Sequence, residues 1–320
     1  MMRPAVSVCI ATTRPTTVGA TVRSIDAQTA ADWELVVVAQ GDAGAIRTAV
    51  EGALTDRDRL CFVSLETRGL SRARNSAIRH ARGAIVAMID DDCESDPRWL
   101  DELAACFAAD PAVGLVGGAV VAPAPVNRGP RNCPSCAPGE VVYDPVAHQR
   151  RPPAGWGWIG ANFALRREVA LRIGEFDQNL GAGARFPVAE EMDYMLRAEA
   201  LGIRMQSTPR AVVTHTHGWR YGFRAVMGMQ RNYARGNGAL AAKLTLMDDP
   251  RGEAKLAEMR RLALVDWIQR RRLVALPAGV RRLLHYTAAY RECLRDYTVA
   301  PTGVLVQRHG VQPQVIGYQR

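Results

Sequence analysis

Short apolar runs rich in β-branched residues alternate with segments of helical apolar period over the first third of the chain, and this alternation constrains the fold more than any other feature. Residues 6–11 and 34–39 are two such runs, and residues 16–28 between them carry a helical pattern, so the three make a βαβ unit. Residues 59–65 read as a further strand, 71–81 as a helix and 84–89 as a buried strand. Strands joined in this way belong to an α/β fold with a mainly parallel, Rossmann-like sheet flanked by helices. Ligands of such sheets collect beyond the carboxyl ends of the strands. Residues 84–89 run straight into Asp90, Asp91 and Asp92 at such an end.

A helix over 98–108 and a strand over 113–121 follow, and then the composition changes. Eight of the 18 prolines lie between Pro123 and Pro153, a density no helix survives. The stretch reads as a long surface loop, a class of segment that is usually functional or mobile. Regular patterning resumes at Gly160, with helices over 167–173 and 190–201 and a strand over 211–215. From Tyr221 onward the chain reads as helical and amphipathic, which divides it into an α/β part, 1–217, and a C-terminal helical segment, 218–320.

Charge is divided in the same way. Residues 218–320 hold 18 of the 41 lysines and arginines but only 7 of the 32 acidic residues. In this segment the arginines are interleaved with Leu, Val and Trp at helical spacing, which describes an amphipathic surface better than a nucleic-acid-binding stripe; no nucleic-acid partner is expected. Val280, Leu283, Leu284, Thr287 and Tyr290 share one helical face beside Arg281, Arg282, Arg291 and Arg295. That face suits either an anionic bilayer or packing on the α/β part. The seven cysteines are an odd number and suit a reducing compartment. No stretch is long and apolar enough to span a membrane, and no secretory leader is visible. The expectation is a cytoplasmic protein, free or peripheral at the inner face of the membrane. Cys133 and Cys136 have the spacing of a metal knuckle but no second pair near them, so they read as free thiols.

Three adjacent carboxylates repel one another unless a cation or solvent compensates. A hard divalent ion such as Mg²⁺ or Mn²⁺, held by carboxylates and substrate phosphates, is one compensation; a solvated turn is the other. Four further motifs accompany the acidic cluster: Arg68-Gly69-Leu70-Ser71-Arg72-Ala73-Arg74-Asn75, Gly160-Ala161-Asn162-Phe163-Ala164-Leu165-Arg166-Arg167, Gly174-Glu175-Phe176-Asp177 and Glu190-Glu191-Met192-Asp193. His215 follows them. In this order and spacing the set resembles family 2 glycosyltransferases of the GT-A fold, from about Val6 to His217.

The resemblance implies inverting transfer of a sugar from a nucleoside-diphosphate donor to a hydroxyl on a glycan or lipid-linked acceptor, in cell-envelope polysaccharide or glycolipid synthesis, with Mn²⁺ or Mg²⁺ as cofactor. It assigns Asp92 to the metal, with Asp90 near the metal and the ribose, and His215 as a further ligand. Glu191 stands where the family usually has an aspartate base, with Glu190 as the neighbouring candidate. Thr12, Thr13 and Arg14 fall in the nucleotide loop. Gln40 replaces the family's usual aspartate at the end of the second strand, which leaves the nucleotide open between uridine, thymidine and guanosine. Asp91 and Arg72, or alternatively Arg74, join the nucleotide-sugar side; Trp158 and Asn162 fall on the acceptor side, Trp158 either stacking on a sugar or packing, and Asp193 serves structure or acceptor positioning. A competing enzyme reading, a sugar nucleotidyltransferase, wants a glycine-rich phosphate loop after the first strand, and Thr12-Thr13-Arg14-Pro15 is not one. The competing non-enzymatic reading is an Arg-rich nucleic-acid binder.

Overall fold

The structure, a computed structural model, describes residues 4–270 and 278–308. Strands β1 (Val6–Thr12), β2 (Trp33–Gln40), β3 (Leu60–Leu65) and β4 (Ile85–Ile89) lie in the order β3-β2-β1-β4, and every pairing among them is parallel. Helices α1 (Pro15–Asp26), α2 (Ala43–Glu51) and α3 (Leu70–His80) make the connections. Local chemistry sets their starts: Pro15 occupies the first turn of α1, where its missing N–H costs nothing, and the Asp42 side chain caps α2 by accepting from Ala45 N.

The second half of the sheet is mixed, where the sequence patterning suggests a mainly parallel one. Strands β5 (Glu94–Ser95), β6 (Val113–Val121), β7 (Arg131–Asn132), β8 (Val141–Tyr143), β9 (Asn162–Arg166) and β10 (Arg204–Thr214) follow, and the main path runs β3-β2-β1-β4-β9-β6-β10-β5. Strand β9 lies antiparallel between β4 and β6. After β6 the chain runs back along β10 as β8, as far as the start of β6, where Asp110 and Asp144 share Arg204, and it returns to the cavity end before β9 begins. Asn162 is thereby paired with Ile89, which sets the Gly160 turn beside Asp90. The proline-rich stretch is correspondingly less open than a plain surface loop. It contains β7 and β8, bridges Val120 through Cys136, and lays β8 along β10.

Alternate side chains of the strands fill two cores. Val8, Ile10, Leu35 and Val37 face α1, α2 and α4 (Trp99–Ala109). Cys9, Val36 and Val38 face α3, α5 (Arg167–Ile173) and α6 (Glu190–Ala200). Each fully buried aliphatic side chain contributes roughly 1.5–3 kcal/mol, so a sheet covered on both faces is a rigid platform for the loops at its end.

Beyond β10 come β11 (Arg220–Tyr221), α7 (Phe223–Leu246), α8 (Arg251–Arg270), α9 (Ala278–Asp296) and the hairpin β12 (Tyr297–Val299) and β13 (Leu305–Gln307). The helical segment expected here is present, and it docks. Ala234, Ala239, Ala242, Tyr286, Ala289 and Cys293 form a third core with Leu180 and Phe186 from the loop before α6. Helices α7 and α9 approach so closely that a Cβ on Gly238 would lie 2.2 Å from the Tyr286 carbonyl oxygen. The α9 face considered for a bilayer is largely used in this packing: Tyr290 is buried, Val280, Leu283 and Thr287 are half-buried, and Leu284 alone of the five is exposed. Among the described residues no helix is long and apolar enough to cross a membrane. Some of the basic charge is paired within the chain, Arg235 with Glu292, Arg251 with Glu199 and Asp249, and Arg295 with Asp296.

Candidate active site

A cavity of about 600 Å³ opens at the carboxyl ends of β1, β2 and β4. Thr12, Thr13 and Arg14 enter it after β1, Gln40 from the end of β2, and Asp90, Asp91 and Asp92 after β4. Glu190 and Glu191 come from the start of α6, and His215 follows β10. Ten of the residues picked out in the sequence therefore line one space, although they span more than 200 positions of chain.

The three aspartates have separate duties. Asp91 is buried and committed: Thr12 Oγ1 donates to it at 2.6 Å and Arg14 Nε at 3.2 Å, with a second, closer contact from Arg14 Nη2. It ties the loop after β1 to the acidic turn and leaves little capacity for a ligand. Asp92 sets Oδ1 3.2 Å from His215 Nε2 and Oδ2 3.1 Å from Arg14 Nη1. Burial opposes its ionisation, but the His215 hydrogen bond and charge prevail and hold its pKa down at about 2. His215 is raised in turn, burial being outweighed by Asp92. Its Nδ1 sits 2.9 Å from the Pro134 carbonyl oxygen, so a proton on Nδ1 leaves Nε2 free to act as a ligand. Gly218 keeps this ring in place by having no side chain, since a Cβ there would lie 2.4 Å from His215 Cγ.

Cys93 Sγ also lies within 4.8 Å of the Asp92 and His215 ligand atoms. Its thiol is wholly buried in the core and burial pushes its pKa far up, which leaves the carboxylate–imidazole pair as the set facing the cavity. Asp90 retains about a third of its side-chain exposure and lies 3.3 Å from Arg74 Nη2. Burial, then the charges of Asp92 and Asp91, push it up to about 6 against the pull of Arg74.

Across the cavity, Ala189 enters α6 with φ of 81°, a left-handed conformation that costs a side-chain-bearing residue about 1–3 kcal/mol. This turn delivers two glutamates that differ sharply. Glu190 is buried and bonded to Arg74 Nη1 at 3.0 Å, while Arg74 Nη2 donates to the Gly160 carbonyl at 2.8 Å. Burial and the neighbouring Glu191 charge push Glu190 up to about 8 despite that arginine. Glu191 is half-buried, and its Oε2 has no hydrogen-bond partner. A carboxylate oxygen held in such a place without a donor is ready to accept a proton from something brought to it.

Several expected site residues lie elsewhere. Gln40 is not among these: it lines the cavity, with its amide engaged on the loop before α3, donating to Thr67 O and Gly69 O and accepting from Gly69 N, which leaves one lone pair of Oε1 unused. Arg72 points outward from α3, exposed and outside the cavity; Arg74, two residues on, is the arginine that enters. Asn162 is fully buried, accepting from Trp99 Nε1 and donating to Ala119 O and Ala211 O, so it cross-links strands and meets no acceptor. Trp158 packs on Phe163 with ring centroids 4.7 Å apart, behind the cavity wall. Asp193 turns to Lys243 at 2.5 Å and Arg197 at 3.0 Å inside the protein. Sequence reasoning misses Arg220, Met229 and Tyr233, which line the cavity from the tail. Arg220 follows His215 by five positions, and that proximity is a signal that could flag it; nothing local marks the other two.

A curled mixed sheet flanked by helices, with an acidic turn after the fourth strand facing a glutamate pair and a late histidine, is the GT-A arrangement. The chain belongs to glycosyl transferase family 2, whose family model matches residues 7–174, more than half its length. It is 30% identical over 197 residues to a glucosyl-dolichyl phosphate glucuronosyltransferase of Haloferax volcanii, a match covering 61% of this chain and 63% of that protein, and so less than two thirds of the relative. A shorter match, 37% over 108 residues, is to an uncharacterized protein, y4gI, of Sinorhizobium fredii and spans 12% of it. Among solved structures, a mannosyltransferase from Pyrobaculum calidifontis in complex with GDP-Man and Mn²⁺ superposes with a TM-score of 0.59 at 20% identity, over 92% of this chain and 88% of that one. Residues 1–349 of S. aureus TarS give 0.55 at 15% identity, over 90% and 82%. At these identities the two structures speak for the fold alone.

Proposed function

We propose that the protein is an inverting, metal-dependent glycosyltransferase that moves a sugar from a nucleoside-diphosphate donor to an acceptor hydroxyl. The observation that carries this reading is the unpartnered Glu191 Oε2 in the same cavity as the Asp92–His215 pair. Asp92 and His215 fit a divalent cation: a carboxylate oxygen and an imidazole nitrogen 3.2 Å apart, the ring oriented by Pro134, form a donor set suited to Mn²⁺ and acceptable to Mg²⁺. When bound, such an ion would neutralise charge on the leaving diphosphate.

The remaining chemistry belongs to the chain. Arg220, 4.0 Å from Asp92, binds diphosphate oxygens, and Arg14, held on Asp91 and Asp92, adds its charge beside it. Thr12, Thr13 and the loop that Gln40 holds define the nucleotide end. Glu191 takes the acceptor hydroxyl proton as the acceptor oxygen bonds to the anomeric carbon; the bond from that carbon to the diphosphate oxygen breaks, and its electron pair leaves with the nucleoside diphosphate. Glu190 and Arg74 fix the start of α6. Support for a lipid-linked acceptor comes from the name of the Haloferax relative, and support for Mn²⁺ from the Pyrobaculum complex.

A thermal-shift screen of UDP, GDP and dTDP, each with and without Mn²⁺, tests the reading, because a ligand of the native state raises the unfolding midpoint. At least one diphosphate should stabilise the protein only with metal. No metal-dependent shift with any of them would sink it.

A further inference from the structure

The cavity has two chemically unlike ends. Arg14, Arg68 and Arg220 gather at the nucleotide end: Arg14 and Arg220 lie 3.1 Å and 4.0 Å from Asp92 Oδ2, and Arg68 sits by Gly41 after β2. At the other end Arg74, the one arginine among the described residues bonded to these glutamates, is spent on Glu190, Asp90 and the Gly160 carbonyl. There α7 closes the space with Met229 and Tyr233. Tyr233 keeps 43% of its surface open while lining the cavity, so a rigid aromatic side chain borders the space with much of its surface unpacked. Burial, then the charges of Glu191, Glu190 and Asp90, push its hydroxyl above the usual range, consistent with a ring set in their field.

We propose that this α7 wall is the acceptor subsite and that it takes an uncharged saccharide, one ring face against Tyr233 and one hydroxyl presented to Glu191. The inference rests on the glycosyl-transfer reading and adds the acceptor's chemical class and the residue that selects it. An aromatic ring offers large contact at low entropic cost, and sugars present apolar C–H faces to such a surface. A bare phosphate acceptor, such as a polyprenyl phosphate, would meet the Glu191 carboxylate with Arg74 already paired to Glu190, a like-charge approach that disfavours it.

Saturation-transfer NMR on the full chain, with Mg²⁺ and whichever of UDP, GDP or dTDP it binds, tests this with methyl and octyl glucosides, galactosides and mannosides, and octyl phosphate as the anionic probe. At least one glycoside should bind through its ring C–H protons and should not be displaced by octyl phosphate. Tyr233→Ala should weaken that binding about tenfold or more and Tyr233→Phe only slightly, with the nucleotide affinity of both unchanged. Preference for octyl over methyl glycosides would identify a lipid-linked saccharide, and equal binding a free glycan. Tighter binding of octyl phosphate, indifference to Tyr233→Ala, or binding of nucleotide but of no glycoside would each overturn the proposal. Failure to bind any nucleotide would instead remove the transferase reading beneath it.

Discussion

Two groups of carboxylates sit on either side of the start of α6, and they are satisfied in opposite ways. Asp177 and Asp193 are buried with Lys243, which is itself 1% exposed and lies 2.8 Å and 2.5 Å from them. Arg197 and the Leu305 amide complete the set. Asp92 and Glu191, by contrast, face a cavity; Asp92 is bonded to a histidine that can also serve a metal, and Glu191 has an oxygen without a partner. A buried network in which each charge is answered makes architecture, here the joint between α7, α6 and the final hairpin. A carboxylate left partly unanswered at the edge of a rigid sheet makes chemistry.

The contrast breaks most visibly at Asp92. Asp92→Ala should abolish metal-dependent nucleotide binding while leaving the circular dichroism spectrum and cooperative unfolding in place, because the residue's partners are cavity groups and not core. Retained Mn²⁺-dependent binding, read by calorimetry, would remove Asp92 from the metal site.

Glu191→Gln is next. It keeps the size and most of the polarity but cannot take a proton, so turnover should fall roughly 10²- to 10⁴-fold with donor affinity preserved. Single-turnover rates at saturating donor would separate the two. A near-normal rate in Glu191→Gln beside a dead Glu190→Gln would exchange the duties of the pair.

Lys243→Met probes the other side of the comparison. It leaves Asp177 and Asp193 without their shared cation, and an uncompensated buried charge costs about 3–5 kcal/mol. At roughly 2–4 °C per kcal/mol for a chain of this size, the melting temperature should drop by about 10 °C, while the folded protein still binds nucleotide with metal. An unchanged melting temperature would mean the network is not the joint it resembles.

The two groups also differ in how much of each is legible in the amino-acid sequence. The acidic turn is legible because it closes a short apolar strand, and strand ends of an α/β sheet are where ligands gather; His215 and the Glu190–Glu191 pair are singled out by the resemblance to family 2 glycosyltransferases and by no local period. The antiparallel β9 is not legible, since its direction depends on where the long connection after β6 delivers the chain and on no periodicity within residues 162–166. Asn162 and Asp193 sit inside family-like motifs, and motif membership alone cannot tell a cross-link between strands from a group that meets substrate. Gln40 illustrates the same limit: an amide of its kind can read a base, and only the position of Gly69, 29 residues away, shows it already engaged. Tyr233 and Lys243 lie on one helix, and which of them faces the cavity follows from how α7 docks, a property of the third core.

The effect confined to a change of pH concerns the proton on Glu190 and refines the line between the two groups, since this residue belongs partly to each. Arg74 alone would keep it ionised, yet burial and Glu191 raise its pKa from 4.5 to about 8. Over that window the folded chain holds a proton that the unfolded chain has released, so folding takes up a proton and stability declines as pH rises; above about 8 both states are ionised and the decline ends. Glu190→Gln stays neutral throughout and lacks this slope. Near pH 5 it imitates the protonated side chain beside Arg74 and should melt close to the wild type; by about pH 9 it should melt above it. Melting curves of the two proteins taken across that range decide the matter. Parallel profiles would show that Arg74 keeps Glu190 ionised, and would place it with Asp177 and Asp193 among the fully answered charges.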